Sequence, residues 1–148
     1  DEPFQIRAAA LEAILTDAGV ERRSGDILLL RTGWESGYRA ADADRRVRAT
    51  SARCPGLGGG EEMLEFLWDW GVGAVASDNP TLECWPIGDA FLHPRLLGRL
   101  GIPIGELWWL DELARRSHAD GRFTCFLTSA PLNVSGGIGS PANALAIR

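Results

Sequence analysis

At 148 residues, with 15 basic against 20 acidic side chains and a net charge of -5, the chain has the size of one domain or part of one. The acidic balance offers no general attraction to nucleic acid, and a composition 45% apolar and 24% charged excludes disorder. No apolar run reaches the ~18 residues of a membrane helix, no signal peptide opens the chain, and Cys54, Cys84 and Cys125 form no Cys-x-x-Cys pair; free thiols in a reducing, cytoplasmic compartment are expected.

Residues 6–18 predict a helix, because Ile6, Ala10, Leu11, Ile14 and Leu15 recur at three and four, with Gly19 as its stop. Gly25-Asp26 turns the chain into Ile27-Leu28-Leu29-Leu30, a continuous apolar run that predicts a strand buried on both faces. Residues 35–57, polar and Arg-rich, predict a long loop with at most a short helix. Gly58-Gly59-Gly60 leads into a helix over residues 61–70, ended by Gly71. Residues 72–76 predict a second buried strand, closed by the turn Ser77-Asp78-Asn79-Pro80. Residues 91–100 predict a short helix that tolerates Pro94 in its first turn. Ile102-Pro103-Ile104 predicts an edge segment, residues 109–117 a helix, and residues 123–129 and 144–147 strands around a Gly-rich loop. Helices alternate with strands, so the fold class is α/β or a layered α+β variant.

Two Gly-rich segments invite a phosphate-loop reading and fail it. Glu61 and Glu62 already place negative charge at the helix that follows Gly58-Gly59-Gly60. The chain has no lysine, so Gly-Lys-Ser/Thr is impossible; all 15 basic residues are Arg, as a GC-rich bacterial genome would encode. No Gly-x-Ser-x-Gly elbow marks a serine hydrolase. Of the two histidines, His118 lies in a polar helix end and reads as solvated, whereas His93 follows the apolar pair Phe91-Leu92. His93 and Glu106 are good ligand types for zinc or manganese. On spacing alone a histidine satisfied by a backbone carbonyl, and an exposed carboxylate opening the next helix, remain the plainer readings. Asp78 leaves a buried strand where α/β folds form ligand clefts, though Asp-Asn-Pro turn chemistry explains it too. The tryptophans at 68, 70, 108 and 109 are assigned to helices and core. Trp34, Tyr38 and Trp85 fall in predicted loops, where aromatic groups line substrate pockets.

The segments Gly25-Asp26-Ile27-Leu28-Leu29-Leu30-Arg31-Thr32-Gly33-Trp34, Pro55-Gly56-Leu57 and Ala74-Val75-Ala76-Ser77-Asp78-Asn79-Pro80 run in order along the chain. His93, Gly101-Ile102-Pro103-Ile104-Gly105-Glu106, Ala130-Pro131-Leu132-Asn133-Val134 and Gly139-Ser140-Pro141 continue them. Jointly they resemble the C-terminal half of the cyclase family of metal-dependent hydrolases, which includes bacterial kynurenine formamidase and isatin hydrolase. The resemblance implies a layered β/β/α, swivelling-domain-like fold, here incomplete, with residues 1–148 forming the C-terminal portion of one cyclase-like domain. It implies one or two divalent ions, zinc or manganese, with His93 and Glu106 as ligands, and hydrolysis of a small amide, lactam or related cyclic substrate by metal-activated water. Trp34, Tyr38, Asp78 and Trp85 are the expected substrate-binding residues. The family's main motif, His-x-Gly-Thr-His-x-Asp-x-Pro-x-His, is not in the chain. A missing N-terminal segment or a second chain is therefore expected as partner, with homo-oligomer formation and neither nucleic acid nor membrane. A non-catalytic structural or interaction domain that keeps the fold is the competing expectation.

Overall fold

The computed structural model of the protein describes residues 4–49, 53–88 and 90–148. The chain begins with β1 (Gln5–Ile6) and α1 (Ala8–Asp17), then β2 (Ile27–Leu30), α2 (Trp34–Ala40), α3 (Ala43–Ala49) and β3 (Gly56–Leu57). It continues through α4 (Glu61–Trp70), β4 (Ala74–Ser77), α5 (His93–Arg95) with a π-helical turn over Leu96–Leu100, β5 (Ile104–Gly105) and α6 (Asp111–Asp120). It ends in β6 (Phe126–Thr128) and β7 (Leu145–Ile147).

The central sheet is parallel and ordered β2-β4-β5, which places the Pro103-flanked segment at an edge as expected. Two smaller pairings accompany it, parallel β1-β3 and antiparallel β6-β7. The class is α/β. Buried residues of α1 and α4, with Leu11, Met63, Leu64, Leu67 and Trp70 foremost, form one apolar cluster with Leu28, Leu30 and Val75 of the sheet. The helix α4 starts and stops where its glycines indicate: Gly71 takes a left-handed φ of 72° and its N–H closes on the carbonyls of Leu67 and Trp68.

Several expectations are corrected. β2 is an edge strand, so only Leu28 and Leu30 are buried while Ile27 is 41% exposed; the central strand β4 is buried from Val75 through Ser77. The polar stretch after β2 forms two helices, which moves Trp34 and Tyr38 from a loop onto α2. Ser36 and Gly37 lower its helix propensity and hid it. Trp108 and Trp109 lie outside any helix, and Trp68 and Trp109 are 60% and 66% exposed, so only Trp70 of the four is core. Among the described residues no helix is long and apolar enough to cross a membrane.

Candidate functional site at the carboxyl ends of the parallel strands

Parallel strands deliver their following loops to one end of a sheet, and ligands of α/β folds bind there. Here β2 leads into Thr32 and Gly33, β4 into Asp78 and Asn79, and β5 into Glu106. Asp78 is 1% exposed; its Oδ1 accepts from the Thr32 N–H (2.6 Å) and Thr32 Oγ1 (2.7 Å), and its Oδ2 from the Gly33 N–H (2.8 Å). Both oxygens thus face the chain and tie the exits of β2 and β4 together. Asp78 is thus engaged on both oxygens in holding the loops that leave β2 and β4. Asn79, fully buried, donates from Nδ2 to the carbonyls of Pro55 (2.7 Å) and Glu83 (3.2 Å). The N–H groups of Leu107 and Trp108 close on the carbonyls of Asn79 and Ser77 at 3.1 Å each, fixing the exit of β5 on which Glu106 stands.

His93 and Glu106 come together, His93 Nε2 lying 3.2 Å from Glu106 Oε1. The other ring nitrogen, Nδ1, meets Glu83, at 2.9 Å from Oε1 and 2.8 Å from Oε2. Glu83 is 1% exposed, and its Oε1 also accepts the N–H groups of Leu92 (2.8 Å) and His93 (2.9 Å). Phe91 stacks on the imidazole with centroids 5.0 Å apart. The line Glu83–His93–Glu106 therefore runs from a buried, fully bonded carboxylate to one that is partly open. Burial pushes the Glu106 carboxyl up; the charge of Glu83 adds to this, while the charge and hydrogen bond of His93 work against it. The sequence reading missed Glu83. Its signal was a lone acid between Leu82 and Cys84 in an apolar turn, ten residues before His93.

An imidazole nitrogen facing a carboxylate, with the second nitrogen bound to another carboxylate, suits a divalent ion in donor type. The set is partial. Among the described residues no group of three or more His, Cys, Asp or Glu side chains is placed to hold a metal, and zinc commonly takes four ligands.

Trp34 and Tyr38 stack on α2, with centroids 5.1 Å apart and planes 11° from parallel. The helix is pinned by Asp111, which accepts from Arg31 Nε (2.6 Å) and Ser36 Oγ and is held below the usual carboxylate range, first by Ser36 and then by Arg31. These rings stand at the exit of β2, two strands from Glu106 at the exit of β5, a lateral offset of about 10 Å by strand spacing. Trp85 is 40% exposed and its backbone pairs with Cys54. Cys54, Cys84 and Cys125 are free thiols, as expected. Burial, and then Cys54, push the Cys84 thiol up, so it is not an activated nucleophile.

A family model described as "Putative cyclase" matches residues 1–84. The crystal structure of a novel cyclase superposes with a TM-score of 0.90 at 35% identity, over 99% of this chain and 48% of that one. The crystal structure of an isatin hydrolase bound to the product analogue thioisatinate superposes with a TM-score of 0.72 at 25% identity, over 99% of this chain and 53% of that one. The chain spans about half the length of both. No curated protein matches its sequence.

Proposed function

The chain belongs to the cyclase family, and from that premise we propose that it is part of a metal-dependent cyclase or amidohydrolase acting on a small amide, lactam or related cyclic substrate. The observation that carries the reading is the approach of His93 Nε2 to Glu106 Oε1 at 3.2 Å, with Nδ1 taken by Glu83, at the carboxyl end of a parallel sheet. His93 and Glu106 would hold a zinc or manganese ion, whose chemistry is to acidify water and polarise a carbonyl. The isatin hydrolase, which shares this fold at 25% identity, supports the substrate class.

The chain's own residues supply orientation and surface. Asp78 and Asn79 fix the loops that carry the site. Trp34, Tyr38 and Trp85 offer aromatic faces to a ring-bearing substrate, and such faces are common in small-molecule pockets.

Two donors leave the ion's shell open, so the partner is the missing N-terminal segment or a second chain that brings the rest. The C-terminal surface supports such a partner. Phe126 is 67% exposed, Leu145 63% and Ile147 54%, all on the β6-β7 ribbon, and Leu132 and Val134 in the intervening loop are 53% each. A two-stranded sheet is marginal in water, and contiguous exposed apolar surface marks an interface. A cytoplasmic homo-oligomer is the assembly we propose.

The test is hydrolysis of formamides and lactams, isatin among them, by the assembled protein supplied with zinc or manganese. Turnover that a chelator and His93→Ala both abolish is expected. Turnover indifferent to both would refute the metal assignment, and a metal-loaded assembly inert toward every such substrate would favour the non-catalytic interaction domain.

A further inference from the structure

We propose that Glu83 is a positioning residue that fixes His93 as the tautomer protonated on Nδ1 and so directs the Nε2 lone pair toward Glu106. The proposal rests on the metal reading above, because only an unprotonated Nε2 can ligate an ion. In water the two imidazole tautomers lie close in energy, and the hydrogen bond made by one nitrogen decides which is present.

Glu83 is placed to decide it. Backbone N–H groups can only donate, and two of them, from Leu92 and His93, end on Oε1. Oε1 is thereby committed as an acceptor, and His93 Nδ1 lies within 2.9 Å of both oxygens, closer than Nε2 lies to the partly exposed Glu106 (3.2 Å), the other carboxylate that competes for a ring proton; the buried, anchored Glu83 is the one that takes it. The backbone that carries this carboxylate is itself fixed. Its backbone carbonyl accepts from Asn79 Nδ2 (3.2 Å) and Thr81 Oγ1 (2.7 Å), and the peptide after it is packed so tightly on Gly56 that a Cβ there would stand 2.6 Å from Cys84 N. Phe91 keeps the ring in plane from one side. A carboxylate behind a ligating histidine raises the ligand's basicity and sets its orientation, and losing such a partner costs 10–100-fold in metal affinity.

Glu83→Gln makes the argument sharp. The two backbone donors hold the amide oxygen where Oε1 was, so the amide NH2 takes the place of Oε2 and donates to Nδ1. The ring proton must then move to Nε2, with shape and burial unchanged.

The experiment is 15N NMR of the metal-free 148-residue chain labelled at histidine, recorded where the rings are neutral. Only two histidines are present, and exposed His118, at the end of α6, reports the solvent preference. Expected are Nδ1–H for His93 in the wild type, Nε2–H in Glu83→Gln, and Nδ1–H regained in Glu83→Asp. Nε2–H in the wild type, which needs no variant to fold, overturns the proposal, as does Nδ1–H in Glu83→Gln. Zinc titration of the assembled protein separates this proposal from the metal reading. Equal zinc affinity in wild type and Glu83→Gln overturns the positioning role and leaves the ion. The expected tautomers with no zinc bound by either sink the ion and leave the positioning role.

Discussion

Gly56→Ala is the substitution whose cost follows most directly from the structure. Gly56 lies in β3, face to face with the backbone of Glu83 and Cys84. A Cβ there would meet the carbonyl group of Glu83 and stand 2.6 Å from Cys84 N, all of it backbone that no rotamer change can move aside. Ordinary contact begins at 3.4 Å, so β3 and the 83–84 segment must part by at least 0.8 Å. That opening strains the bonds from Leu57 N–H to the Leu82 carbonyl (3.0 Å) and from Cys84 N–H to the Leu57 carbonyl (2.9 Å). Overpacking costs about 1–3 kcal/mol and two weakened hydrogen bonds about 1 kcal/mol each, so the expected loss is about 3–5 kcal/mol. At ~2–4 °C per kcal/mol for a chain of this size, the melting temperature falls by about 6–20 °C. Gly98→Ala is the matched control, because a Cβ there meets nothing within 4 Å and φ is not left-handed; it should be neutral or stabilise by about 0.4–1 kcal/mol. Thermal and urea unfolding read both. Gly56→Ala melting within 2 °C of the wild type would refute the claim that this close approach positions Glu83.

Gly105→Ala drives its Cβ to 2.7 Å from Ala76 Cβ and from the Trp108 indole, so a loss of about 1–3 kcal/mol and a shifted tryptophan emission are expected, with unchanged unfolding as the contrary result. Asp78→Ala strands the N–H groups of Thr32 and Gly33, each unsatisfied buried donor costing about 1–3 kcal/mol. Hydrogen exchange should speed up first at these two amides, and protection equal to wild type would contradict the tie between β2 and β4. Asp111 has a folded pKa lowered by Ser36 and Arg31, so its contribution to stability is present above the ordinary value of 3.8 and is lost as pH falls through the lowered one. Asp111→Asn should therefore be less stable than wild type at pH 7 and converge with it in strong acid; parallel urea curves across that range would show that the pinning of α2 carries no weight.

The parts of the fold legible in the sequence are those written in local signals. Gly60 and Gly71 bracket α4, Gly25-Asp26 turns the chain into β2, and Pro103 marks β5 as an edge. What was illegible depends on distant partners. The two-residue strands β1 and β3 are too short to show a period, and α2 forms although Ser36 and Gly37 oppose it, because Asp111, 75 residues from Ser36, holds it. The site divides the same way. His93 and Glu106 carry chemistry in their side-chain types and can be nominated from composition, whereas Glu83 matters only because the chain returns to bury it against His93. Asp78 was noticed for the right reason, its place at a strand end, but its three donors come from residues 45 and 46 positions away.

The central claim is that His93 and Glu106 hold one divalent ion together. Native mass spectrometry of the assembled protein, loaded with zinc or manganese, tests it most directly. The account predicts a bound ion in the wild type that is lost from both His93→Ala and Glu106→Gln while the assembly mass is unchanged. An ion content equal in all three would contradict it.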